Sequence, residues 1–114
     1  MTNIAVYGTL KEGHGNNSLL GDSLLVGEGW IAGYQMVAEG IPFVFKVEDN
    51  SSKVWVEVYE VEPNTLQSID GLEGHPDWYY RSPVLVTTAD GEVGAEVYLN
   101  DDYKDLPIVV GGVY

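Results

Sequence analysis

Short runs of β-branched and aromatic residues, each closed by a turn signal, recur along almost the whole chain. They are Ile4–Tyr7, Ser23–Val37, Phe43–Val47, Val54–Val61, Pro83–Thr88 and Glu96–Leu99. Such residues suit a pleated, half-buried surface better than a helix. The pattern predicts about six short strands in a β-rich domain. Glu48-Asp49-Asn50-Ser51-Ser52 reads as a polar hairpin-type turn, and Ala89-Asp90-Gly91 carries the Asp-Gly pair that tight hairpins favour. Gly27, Gly29 and Gly33 fall inside the long second run, where they would mark bends or bulges that curve the sheet. Curvature combined with many short strands points to a small barrel. With 114 residues and no visible linker or repeat, one domain over residues 1–114 is expected, large enough for a real core.

One segment has the other periodicity. Pro63 suits a first helical position, Leu66, Ile69, Leu72 and Glu73 follow at helical spacing, and Gly74 and Pro76 offer a stop. A helix over Pro63 to Glu73 is therefore expected, with a smaller helical piece over Asn16 to Leu20. On this helix Glu73 lies about two turns beyond Leu66 and projects almost the same way, with Ile69 within about 60° of both. An acid thus holds a place where an amphipathic helix carries an apolar residue. A carboxylate there must be paired, or burial raises its pKa, and perturbed acids are candidates for general acid–base work. The plainer alternative is a frayed last turn that lets Glu73 reach water.

The start of the chain offers a second candidate. The apolar run Ile4–Tyr7 meets the small-residue turn Gly8-Thr9, then Leu10 and Lys11. A buried strand ending in such a turn can aim several backbone N–H groups at one small anion. Trp78, Tyr79 and Tyr80 would line a pocket or cover one end of the barrel. Arg81, one of only five bases, would pair with a carboxylate, or form a surface ion pair of little weight. His14 and His75 read as solvated loop histidines, and the glycine spacing completes no dinucleotide fingerprint.

Composition removes other functions. The absence of cysteine excludes disulfides and thiol catalysis, and with two histidines speaks against a zinc site. Eighteen acids against five bases leave a net charge of −13, which repels phosphate backbones. Nucleic-acid binding is not expected. Neither is a membrane span, since about 18 successive apolar residues occur nowhere. No basic segment followed by a long apolar run opens the chain, so a cytoplasmic protein is the expectation.

Val6-Tyr7-Gly8-Thr9-Leu10-Lys11, followed by Gly13 and Asn16, resembles the opening signature of the γ-glutamylcyclotransferase-like superfamily, in particular its small γ-glutamylamine cyclotransferase (AIG2-like) branch. Val58-Tyr59-Glu60-Val61 is similar to that family's strand before the helix. Asp70-Gly71-Leu72-Glu73-Gly74-His75-Pro76, with Tyr79 and Arg81, resembles its acidic helix end and the pair that follows. The Gly111-Gly112-Val113-Tyr114 tail is similar to its Gly-x-Trp ending. Asn17, Val56 and Tyr114 depart from the family pattern, outside the loop and the acid. The resemblance implies an α+β fold, a small mixed β-barrel of about six strands with one or two short helices. It implies an enzyme that converts a γ-glutamyl amine or isopeptide to 5-oxoproline plus free amine, without cofactor or metal. The catalytic acid would be Glu73, and the substrate-binding residues Tyr7, Gly8, Thr9 and Leu10, with Tyr79 as a pocket wall. A small-molecule binding module on the same fold, without turnover, is the alternative.

Overall fold

In a computed structural model, which describes residues 1–114, the elements follow in the order β1 (Thr2–Val6), a 3-10 turn (Asn17–Leu20), β2 (Leu24–Ala32), β3 (Tyr34–Glu39), β4 (Ile41–Lys46), β5 (Lys53–Val61), α1 (Pro63–Glu73), β6 (Tyr80–Thr88) and β7 (Gly91–Leu99). Strands β1, β5, β2, β6 and β7 close into a barrel in that order, and β3 pairs with β4 in a separate hairpin. Neighbours in the barrel run antiparallel except at the closing seam. There β1 and β7 lie parallel, with Ile4 opposite Glu96 and Ala5 opposite Val97. The expected α+β class and mixed barrel are therefore observed.

The strands number seven because the long second run divides at Gly33. That residue has φ +82°, a left-handed conformation that a side chain disfavours. Its N–H donates to Ser52 O at 2.8 Å and its carbonyl accepts from Val47 N at 2.9 Å, so the corner is held on both sides. Before the corner the chain belongs to the barrel; after it the chain leaves to form the hairpin. Gly27 marks a register shift of β2 against β5, the bulge its position implies. Gly29 lies at the seam with β6, opposite Thr88.

Two apolar clusters account for the alternation along the strands. Ala5, Val54, Val56, Val58, Val86 and Val97 belong to one, joined by Met36 and Val44 of the hairpin. Ile4, Val6, Tyr59, Val61 and Tyr98 belong to the other, together with Phe43, Phe45 and Ile69. Ile4, Ala5 and Val6 of β1 alternate between the two clusters, and Val58–Tyr59 of β5 and Val97–Tyr98 of β7 split between them, as period-two side chains must. A strand covered on both faces reads as an unbroken apolar run, which is the pattern of Ile4–Tyr7. Helix α1 begins with Pro63 and ends at Gly74 in the left-handed conformation. Ile69 is fully buried and Leu66 packs beside it in the same cluster. The face that carries these two residues sets where Glu73 emerges.

Candidate active site

The loop after β1 is folded back on itself. Lys11 N donates to Gly8 O at 3.0 Å, and Asn16 N donates to Thr9 O at 2.9 Å. Side chains complete the frame: Asn16 Nδ2 donates to Thr9 Oγ1 at 2.8 Å, and Asn17 Nδ2 to Leu10 O at 2.9 Å. The Thr9 and Leu10 carbonyls and the Thr9 hydroxyl are thus engaged from the 3-10 side, and the Gly8 carbonyl by the loop itself. Its N–H groups are not: neither backbone nor side chain supplies an acceptor to Gly8, Thr9 or Leu10. Unpaired N–H groups beside a cavity are an obligation for any ligand that fills it.

That cavity measures about 200 Å3. Tyr7, Gly8, Thr9 and Leu10 form one wall, Leu72 and Glu73 at the end of α1 another, and Trp78 and Tyr79 a third, with Ile41 and Pro42 of β4 facing them. All six residues singled out by the sequence, Tyr7, Gly8, Thr9, Leu10, Glu73 and Tyr79, line this one space. Trp78 joins them, whereas Tyr80 does not. Tyr80 packs against the barrel-side cluster, and its hydroxyl donates to Asp101 Oδ2 at 2.6 Å. Sequence reasoning missed Tyr98 and Pro42. Alternation in β7 puts Tyr98 on the face opposite Val97, but only the packing of α1 makes that face a cavity wall.

Glu73 is the sole ionisable carboxyl lining the cavity. It is half-buried, and no protein donor reaches its carboxyl oxygens. Burial raises its pKa from 4.5 to about 7. The tyrosines around it are bonded elsewhere. Tyr7 donates to Tyr98 O at 2.6 Å, Tyr79 to Pro42 O at 2.7 Å, and Tyr98 to Asp70 Oδ1 at 2.5 Å. Desolvation raises the pKa of all three, with the Glu73 charge adding to it, so they remain protonated. Asp70 accepts two bonds from Arg81, at 2.8 and 3.2 Å, and Arg81 reaches Glu96 at 3.0 Å. Arg81 therefore takes the paired reading. No cluster of three His, Asp or Glu stands close enough to hold a metal ion.

The raised pKa has a consequence for stability that is independent of any reaction. Glu73 favours the folded state fully below about pH 4.5, where the acid is protonated in both states. The advantage is lost as pH rises to about 7, because the unfolded chain releases the proton first. Discounted for partial exposure, the penalty above pH 7 is of the order of 2 kcal/mol. Glu73→Gln is expected to match the wild type in denaturant at pH 4 and to exceed it at pH 8. Equal midpoints at both pH values would mean that the carboxyl is solvated as in a free peptide.

The fold is thus a small closed barrel whose side cavity holds a single carboxyl. The profile of the family described as gamma-glutamyl cyclotransferase, AIG2-like, matches residues 4–114, and the chain belongs to that family of enzymes. A Methanocaldococcus jannaschii relative is 38% identical over 118 residues, covering 92% of this chain and 98% of its own length. The gamma-glutamylaminecyclotransferase B of Danio rerio is 32% identical over 103 residues, 82% of this chain and 54% of the longer zebrafish protein. The crystal structure of a Pyrococcus horikoshii protein superposes with a TM-score of 0.82 at 31% identity, over 99% of this chain and 89% of that one. An AIG2-like protein from Mus musculus gives the same TM-score at 27% identity, over 100% of this chain and 88% of that one. No helix here is long and apolar enough to cross a membrane.

Proposed function

We propose that the cavity cyclises a γ-glutamyl amine or isopeptide to 5-oxoproline and releases the free amine, with Glu73 as general acid and base. One observation carries this reading: the half-buried Glu73 carboxyl, with its pKa at about 7, shares a cavity with three free amides. A γ-glutamyl amide contains its own nucleophile, the α-amine, so the protein needs no serine or cysteine. Attack of that nitrogen on the γ-carbonyl closes a five-membered lactam and breaks the bond to the leaving nitrogen. Two protons leave the α-ammonium and two reach the departing amine, so the reaction is neutral overall. A carboxyl that changes charge near neutrality, held beside both nitrogens, suits the transfer in both directions.

The amides of Gly8, Thr9 and Leu10 are the donors for the substrate's α-carboxylate, or for its γ-carbonyl oxygen as charge builds there. The cavity walls of Tyr7, Tyr79 and Pro42 fold the chain of the substrate so that its two ends meet, a proximity effect. The cavity lining contains no lysine or arginine, which leaves recognition of the head group to these amides.

Addition of 5-oxoproline to 15N-labelled protein tests the binding half. Shifts centred on the Gly8, Thr9 and Leu10 amides are expected; a response confined to the opposite end of the barrel contradicts the assignment. Gly8→Ala sharpens the test. A Cβ at Gly8 would stand 2.8 Å from Pro42 Cγ, closer than the two can approach. Either the loop or Pro42 must move, and displacement of one cavity wall by a few tenths of an ångström is expected to weaken 5-oxoproline binding about tenfold. Unchanged affinity in calorimetry would place the head group elsewhere.

A further inference from the structure

The last turn of α1 does more than present Glu73. Asp70, one turn earlier, is gripped through both carboxyl oxygens by the Arg81 guanidinium of β6, which also holds Glu96 of β7. A planar fork matched to a carboxylate fixes orientation as well as distance. The backbone is drawn into the same arrangement: His75 N donates to Asp70 O at 3.0 Å, and Arg81 N donates to His75 Nδ1 at 3.2 Å. Tyr98 of β7 points its hydroxyl at Asp70 Oδ1, although its ring lines the cavity that Glu73 enters.

Three tyrosines feel the Glu73 charge, and His75, two residues beyond it, sits edge-on to the Tyr98 ring. Tyr7 comes from the loop after β1, Tyr79 from the segment before β6, Tyr98 from β7 and Asp70 from α1 itself, with Arg81 behind Asp70. Two of the three tyrosines give their protons to backbone carbonyls, which are fixed parts of the barrel and hairpin. Only Tyr98 gives its proton to a side chain. Its direction therefore depends on the Asp70 carboxyl being held in place.

We propose that Asp70 and Arg81 are positioning residues for Glu73: they lock the last turn of α1 onto β6 and β7 and capture the Tyr98 hydroxyl, leaving the Glu73 carboxyl open to the cavity with no tyrosine donor upon it. Without the clamp, the Tyr98 hydroxyl turns to Glu73, whose charge it already feels. A donor bonded to the carboxylate stabilises the charged form and lowers its pKa. It also occupies the oxygen that a substrate nitrogen needs. The clamp thus keeps a carboxyl reactive by denying it a hydrogen bond. The consequence for catalysis rests on the assignment of Glu73 as the acid–base group, whereas the structural statement does not.

The test is a pH titration of the Glu73 side-chain carboxyl by 13C NMR in the full chain, assigned by its disappearance in Glu73→Gln. It needs no turnover. In Asp70→Ala the midpoint is expected to drop by about one pH unit relative to the wild type. Tyr98→Phe alone leaves the midpoint where the wild type has it, because the lost hydroxyl never bonded Glu73. The double variant Asp70→Ala with Tyr98→Phe returns to the wild-type value. A merely structural Asp70 would give the same midpoint in Asp70→Ala with and without the second change. Should the alanine variant not fold, Asp70→Asn, a neutral and weaker acceptor, shifts the midpoint the same way by less. An unchanged midpoint in the folded Asp70 variant, or a shift not reversed by Tyr98→Phe, overturns the proposal. If the titrations come out as expected while no γ-glutamyl amide is turned over, the clamp stands and the cyclisation reading falls. If turnover is lost in Glu73→Gln but the midpoint ignores Asp70, the reverse holds.

Discussion

Glu73→Gln is expected to lower kcat for 5-oxoproline formation by at least about a thousandfold, within the range that general acid–base catalysis supplies. The amide keeps the size and hydrogen-bonding outline of the acid but cannot carry a proton between two nitrogens. Binding of the γ-glutamyl head group should survive, because the free amides lie on the loop after β1 and not on α1. A fall in kcat with KM changed by less than about threefold is the signature of an interaction made only in the transition state. Loss of fold is excluded as the cause in advance, since the same variant is expected to be the more stable protein at pH 8. A stabilised but inactive variant is what a buried, functional charge should give. Activity within a factor of two of the wild type would remove Glu73 from the chemistry and leave the cavity without a proton carrier.

Gly29→Ala is expected to have the largest effect on folding. A Cβ there would lie 1.9 Å from Thr87 O and 2.7 Å from Thr87 C, both backbone atoms with no rotamer to escape into. The seam between β2 and β6 rests on two paired positions, Gly29 with Thr88 and Trp30 with Thr87. Moving β6 away to admit one methyl group costs hydrogen bonds worth about 1 kcal/mol each and the packing of the barrel interior beneath them. A loss of about 3–4 kcal/mol follows, a large part of the stability of a domain of this size. Urea unfolding measures it. A midpoint equal to the wild type would mean that β2 and β6 are not in van der Waals contact at Gly29 and that the barrel is open there.

Elements with strong local signals were legible in the sequence. Pro63, the Leu66–Ile69 spacing and Gly74 fix the helix because each acts within one or two turns. The barrel strands follow from alternation, and the bend at Gly33 from the one residue type that tolerates its φ. The count of strands was less legible, because a corner inside a continuous apolar run leaves hydrophobicity unchanged on both sides. Glu73 was visible as an acid on an apolar face, and the loop after β1 as a strand ending in small residues. Their meeting was not visible, since Tyr7 and Glu73 are far apart in sequence and only the packing of α1 on β1 and β7 joins them. Tyr98 was hidden for the same reason, as a strand aromatic is usually core. Asp70 and Arg81 lie 11 residues apart, and their bidentate pair depends on the turn that brings β6 back beside α1.

Incubation of the wild-type protein with a γ-glutamyl amine in excess, with 5-oxoproline and free amine both quantified, is the most direct measurement. Cyclisation in this cavity requires the two products in equal amounts, formed at a rate that Glu73→Gln abolishes. Binding of the amine substrate with no 5-oxoproline after prolonged incubation would contradict it and identify the cavity as a receptor for γ-glutamyl groups instead.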